Sequence, residues 1–323
     1  MRPRELLCSS AFMMLAALVI ALLTNFTGTF PDEILTADAR SNLTVLTLAV
    51  MMTVSLSRIP YRNLNPIKNW RSVMRAVMLG IVIPSLIPLT AYFALNNTAY
   101  GEYATGLIFL AATPFAASVV PLSYVLRGDM EHAARGTITV YLLSLLWIPS
   151  IIYLTLGEYV EMQTVALTVV EIIGLPLLLS RLLTRLRIER EMMSAFMNCC
   201  IFFLVWLSVS STSFPTELFP LFAFLIIAIL RTFLLGNIVE VVEKRAGIGW
   251  SQRVTDILMT SYKNKGIAIA LCVAVMGPLV PISMVPIALS IVVEICWVAF
   301  MDSVLFSKTR MKREMSKDAA MSL

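Results

Sequence analysis

Two stretches of this 323-residue chain place polar chemistry where the surroundings are apolar. The first lies in the apolar run 103–126 and holds Thr113, Pro114, Ser118 and Pro121. Its prolines lack an amide donor and interrupt a helical hydrogen-bond ladder about midway. The second, in the run 254–276, reads Thr260-Ser261-Tyr262-Lys263-Asn264-Lys265-Gly266. Freed carbonyls and amides at such interruptions can bind an ion or a polar solute. A lysine at the centre of a membrane helix costs roughly 2.5–3.5 kcal/mol on insertion scales, so Lys263 and Lys265 must face protein or a water-filled cavity. Glu294 and Glu171 are the buried acids expected to match them. Each feature keeps a plainer alternative: two kinked structural helices in place of a site, and a structural lysine–glutamate pair in place of a working charge.

Other chemistry finds little support. Cys8, Cys199, Cys200, Cys272 and Cys296 lie almost wholly in apolar runs without metal-ligand spacing, and read as small core residues. The Gly128-Asp129 pair is the nearest approach to an intramembrane aspartyl protease. It falls at a helix end, with no second mid-membrane aspartate to share a proton. No catalytic residue, metal ligand or cofactor is expected. His132, the single histidine, is expected in a solvated loop. The net charge of +5 and pI near 9.0 are spread over many short loops without aromatic interleaving, which argues against a nucleic-acid surface.

The elements that must position these residues follow from composition. With 59% hydrophobic and 14% charged residues, the chain is far too apolar for a soluble domain. Runs of about twenty apolar residues can each cross a hydrocarbon layer. They fall at 6–26, 38–56, 73–95, 103–126, 133–156, 164–186, 192–209, 218–239, 254–276 and 282–306. The first follows Arg2 and Arg4 but exceeds the ~7–15 residue core of a signal peptide, so it reads as a helix.

Ten spans put both termini on one side of a cell membrane, and the loops test this. Of 25 basic residues, Arg40 alone falls on the opposite side, and Lys263 and Lys265 on neither; Arg231 is counted with the loops. Such asymmetry marks the cytoplasmic side. The expected fold is an all-α polytopic membrane protein of two inverted five-helix repeats, residues 1–160 and 161–308, with a cytoplasmic tail at 309–323. The interruptions then occupy the fourth span of each repeat.

The stretch from Gly106 through Pro114 to Ser123, Tyr124, Gly128 and Asp129 resembles the fourth helix of the bile acid:sodium symporter family, and Lys263-Asn264-Lys265-Gly266-Ile267-Ala268 is similar to that family's ninth. Pro88 in the third span also fits. The resemblance implies a core domain built around crossed, broken fourth and ninth helices, and a panel domain of helices 1, 2, 6 and 7. Counted without gaps, the family's sodium-binding serine and asparagine fall on Val119 and Val120, and a further serine on Ala133; the threonine survives as Thr137. Its glutamate falls on Met259, and its glutamines on Lys263 and Ile83. Sodium needs oxygen ligands as other hard cations do, and valine, methionine and isoleucine offer none. The related arsenite exporters place a cysteine where Phe115 stands and a glutamate where Gly266 stands, so a soft arsenic ligand is missing too.

These observations imply a secondary transporter of a small organic solute, anionic if Lys263 faces the cavity, working by alternating access and independent of sodium. Its expected pathway is Thr113, Pro114, Ser118, Thr137, Tyr262, Lys263, Asn264 and Glu294. Alternatives are a channel or exporter of an unrelated solute, or a non-transporting membrane sensor, against which the tail after Phe306 is short for a signalling domain. The expected partners are the solute and the lipid bilayer, with no nucleic acid; self-association stays open.

Overall fold

A computed structural model describes residues 10–31, 33–57, 59, 69–157, 160–184 and 189–321. The expectations for Arg2, Arg4, Cys8, Arg58, Arg62, Lys68, Arg185 and Arg187 lie outside the described residues.

Every regular element among the described residues is helical. In chain order they are α1 (Ser10–Thr27), α2 (Ala37–Leu56), α3 (Trp70–Leu95), α4 (Gly101–Ala112), α5 (Val119–Val125), α6 (Met130–Leu156) and α7 (Met162–Leu183). There follow α8 (Arg190–Val209), α9 (Leu218–Arg245), α10 (Trp250–Ser261), α11 (Lys265–Val275), α12 (Gly277–Leu305) and α13 (Lys308–Met321). Seven of these, α2, α3, α6, α7, α8, α9 and α12, are long and apolar enough to cross a membrane. Leu146, Leu154, Leu178 and Leu182 stand exposed on their outer faces, an apolar surface that water would not tolerate and a bilayer covers. The chain is a polytopic membrane protein.

Local chemistry sets the helix ends. The Thr36 hydroxyl accepts the Ala39 amide to start α2, and the Asp129 carboxylate accepts the His132 amide at 2.9 Å to start α6. In α3 and α7 a π-turn, Met78–Val82 and Val170–Gly174, comes just before Pro84 and Pro176. The widened turn keeps each helix continuous past a residue that cannot donate. By packing, α1 lies on α8, and α2 on α7, α8 and α11. Elsewhere α3 lies on α4 and α6, and α12 on α4 and α9. At Gly106, α4 comes so near α12 that a Cβ would strike the Ser283 carbonyl.

Three expectations are corrected. Arg231 is no loop residue: it sits in the π-turn Leu230–Leu234 inside α9 and is 1% exposed. The apolar residues around it extend the helix on both sides, with Leu230 and Leu234 outward and Arg231 and Thr232 on the inward face. His132 is buried, with Nδ1 2.6 Å from Ser72 Oγ and Nε2 2.9 Å from Asp256 Oδ1. The loop before it is short, and the cap at Asp129 draws it into the first turn of α6. Glu171 is exposed on α7, which leaves Glu294 as the acid beside the lysines.

Candidate functional site

The site starts from a residue that cannot be helical. Proline disfavours the helical conformation of the residue before it, and Thr113 is extended at φ −76 and ψ 145, so α4 stops at Ala112. The chain resumes as α5 at Val119, with Pro121 in the first turn, where no amide is required. In the second stretch Tyr262 leaves the helical region, and Asn264 restarts the chain by accepting the Ile267 amide on Oδ1 at 3.1 Å.

These two unwound segments satisfy each other. Phe115 and Lys263 form an antiparallel bridge, in which Ala116 N donates to Tyr262 O at 2.8 Å and Asn264 N to Pro114 O at 2.9 Å. Backbone groups orphaned by the helix ends thereby find partners without water. Tyr141 of α6 braces the junction: its hydroxyl donates to Phe115 O and accepts from Asn264 Nδ2, both at 2.9 Å.

Buried cations stand at the carbonyl ends of the half-helices. Lys263 Nζ donates to Thr113 O at 2.5 Å, at the C-terminal end of α4, and is 1% exposed. Arg231 approaches Ser261 O at 3.4 Å, at the C-terminal end of α10, and donates from Nη2 to Thr232 Oγ1 at 2.6 Å. Helix C-termini carry partial negative charge and favour a cation. Lys265 instead pairs with the Glu294 carboxylate at 3.0 Å. Three basic side chains thus gather about one acid, Glu294.

Beside this junction lies a cavity of about 90 Å³, room for several waters or a compact solute. One wall is polar and comes from the crossing: Ser118, Tyr262, Lys263, Asn264, Lys265 and Glu294. The lining also takes Met14, Met51, Met52 and Met197 from α1, α2 and α8, with Met52 Sδ 3.5 Å from Asn264 Nδ2. Thioether side chains are flexible and polarizable, and adapt to varied apolar shapes.

Most of the expected residues meet here. Ser118, Tyr262, Lys263, Asn264 and Glu294 line the cavity, while Thr113 and Pro114 supply backbone carbonyls to the junction. Thr137 does not join them: its hydroxyl donates to Ala133 O of its own helix at 2.8 Å, away from the cavity lining. Sequence reasoning missed Tyr141 and Arg231. Tyr141 gives no signal in an apolar helix that tolerates tyrosine anywhere, whereas Arg231 was visible as an arginine flanked by Ile229, Leu230, Phe233 and Leu234.

A second polar cluster ties α3, α6, α9 and α10 at one end. Arg75 bridges Asp256 at 2.7 Å and Glu243 at 2.6 Å, and Asp256 also holds His132. Asp256 is fully buried, and two cationic or donor partners are what make that burial tolerable.

No curated protein matches the chain. The model of the sodium bile acid symporter family matches residues 45–219, which spans α2 through α8 and includes the first interruption. The chain belongs to the sodium bile acid symporter family and is a multi-pass membrane transporter.

Proposed function

We propose that the protein is a secondary carrier of small organic anions, moving them by alternating access without sodium. The observation that carries this reading is the Lys263 side chain, buried at the cavity wall with its Nζ seated on the Thr113 carbonyl at the end of α4. There a tethered cation supplies the charge that a bound cation would otherwise bring. Arg231 does the same at the end of α10. A lining that joins Lys263 and Lys265 to four methionines suits a solute with an anionic head and an apolar body.

The architecture we attach to this function is two inverted five-helix repeats, 1–160 and 161–308, with both termini and the 309–323 tail cytoplasmic in the cell membrane. A core around the crossing rocks against a panel of α1, α2, α7 and α8. The interruptions fall in the fourth element of each repeat, where inverted-repeat carriers place their sites. Cysteines introduced at Asn97 and Lys312 should label from opposite sides, and labelling from one side would refute the topology.

The functional test is uptake into proteoliposomes of an anion selected by thermal shift, with sodium replaced by potassium or choline. Uptake should persist for the wild type and be lost in a folded Lys263→Ala protein. Dependence on sodium would overturn the reading.

A further inference from the structure

Lys263 and Arg231 already donate to carbonyls at helix ends, but Lys265 is differently placed. Its Nζ stands 3.0 Å from Glu294 Oε2 in a charge-assisted contact, and among the described residues neither atom has a further hydrogen-bond partner. An ammonium carries three donors, of which Glu294 takes one, and leaving the other two unmade in a buried site is unfavourable. Lys265 is 8% exposed and Glu294 3% exposed, and both line the cavity. Their spare capacity points to an acceptor that arrives through the cavity.

The electrostatic setting leaves the pair with a surplus of basic side chains around it. Glu294 on α12 is acted on by Lys265 of α11, by Arg231 of α9, and by Tyr262 between α10 and α11. Arg231 also repels both Lys263 and Lys265. A second anion in the cavity therefore meets an excess of positive charge, and its natural anchor is the cation that still has two donors to give.

We propose that Lys265 and Glu294 form an exchange pair that couples the solute to protons. An anionic oxygen of the solute takes the place of Glu294 on Lys265. The displaced carboxylate, left without its cation in a buried site, takes a proton from the water on the side to which the cavity is open. When the solute leaves on the other side, that proton passes to water there and the ion pair re-forms. Each cycle moves one anionic group and one proton together, and no other ion is required. The solute half of this rests on the anion-carrier reading above.

The proton half can be tested without knowing the solute. Lys265→Met withdraws the cation as a bound anion would, and Lys265→Gln serves where the methionine variant does not fold. In lipid nanodiscs at neutral pH, infrared spectra of the lysine variant should show a carboxylic-acid carbonyl band that the wild type lacks. The band should vanish in Lys265→Met/Glu294→Gln. A lysine variant with no such band has an ionised Glu294, which overturns the proposal.

The coupling is read with benzenesulfonate, a permanently ionised anion that carries no proton of its own. Bound to the wild type in weakly buffered solution, it should draw in one proton, and bound to Glu294→Gln, none. Binding without proton uptake counts against the coupling alone. No binding to either protein counts against the anion carrier itself, and with it the exchange.

Discussion

The Tyr141 hydroxyl donates to Phe115 O and accepts from Asn264 Nδ2, so one oxygen ties α6 to both unwound segments. All three groups are buried. Tyr141→Phe keeps the ring and removes the oxygen, leaving the Phe115 carbonyl without this donor and the Asn264 amide with only Met52 Sδ at 3.5 Å. The expected loss is about 1–3 kcal/mol of stability. Thermal unfolding in detergent should show it, and an unchanged midpoint would mean the junction does not depend on this oxygen. The same residue marks a limit of sequence reading. A tyrosine among Val140, Leu142 and Leu143 shows neither its burial nor its partners, because both come from segments at positions 115 and 264. Lys263 and Asn264 were legible for the opposite reason, since any charge or amide within an apolar run must be answered locally.

At the level of elements, both interruptions could be read from the chain, but with different precision. Pro114 fixes its break chemically, through a missing amide and an extended Thr113. The break at Tyr262 has no proline, and its position comes from Asn264 acting as a cap and from pairing with Pro114 and Ala116 across the junction. Polar composition showed the region; the partner strand sets the residue. The π-turns of α3, α7 and α9 left no such mark, which is why Arg231 was assigned to a loop and turned out to be inside α9. Close packing is equally silent in a sequence until a glycine marks it. Gly106 lets α4 rest on α12 against the Ser283 carbonyl, which is backbone and cannot swing aside. Gly106→Ala gains helix propensity yet must push the two helices apart, and overpacking of this kind costs about 1–3 kcal/mol. The expected outcome is a lowered unfolding midpoint together with weaker anion binding, because α4 carries the Thr113 carbonyl into the site. A stabilised, fully active Gly106→Ala protein would show that the contact has slack.

Across the whole molecule, the short helix after the last span is joined to the crossing through α9 and α10. Arg253 of α10 donates to Glu314 of α13 at 2.9 Å, Lys244 of α9 reaches the same carboxylate at 3.3 Å, and Arg310 pairs with Glu240. The Asp318 carboxylate accepts the Trp250 amide at 2.6 Å at the start of α10. Since α10 runs directly into Ser261 and the unwound segment, whatever holds α13 also restrains one arm of the junction. Glu314 controls this attachment. Burial pushes its carboxyl up, but hydrogen bonds from Arg253 and Lys244, with their charges, outweigh burial and hold it at about 2, below the ordinary 4.5. A carboxyl whose value is lowered on folding binds fewer protons in the folded state, so its contribution is present above the ordinary value and fades as pH falls. The docking of α13 should therefore weaken between pH 4.5 and about 2. Hydrogen exchange of 308–321 should be slow at neutral pH and rise through that window. Glu314→Gln should show the fast exchange already at pH 7, since an amide keeps the shape but leaves Arg253 without its charge partner. Exchange that stays slow in the variant and across the acid window would show that Asp318 and Arg310 hold the helix without Glu314.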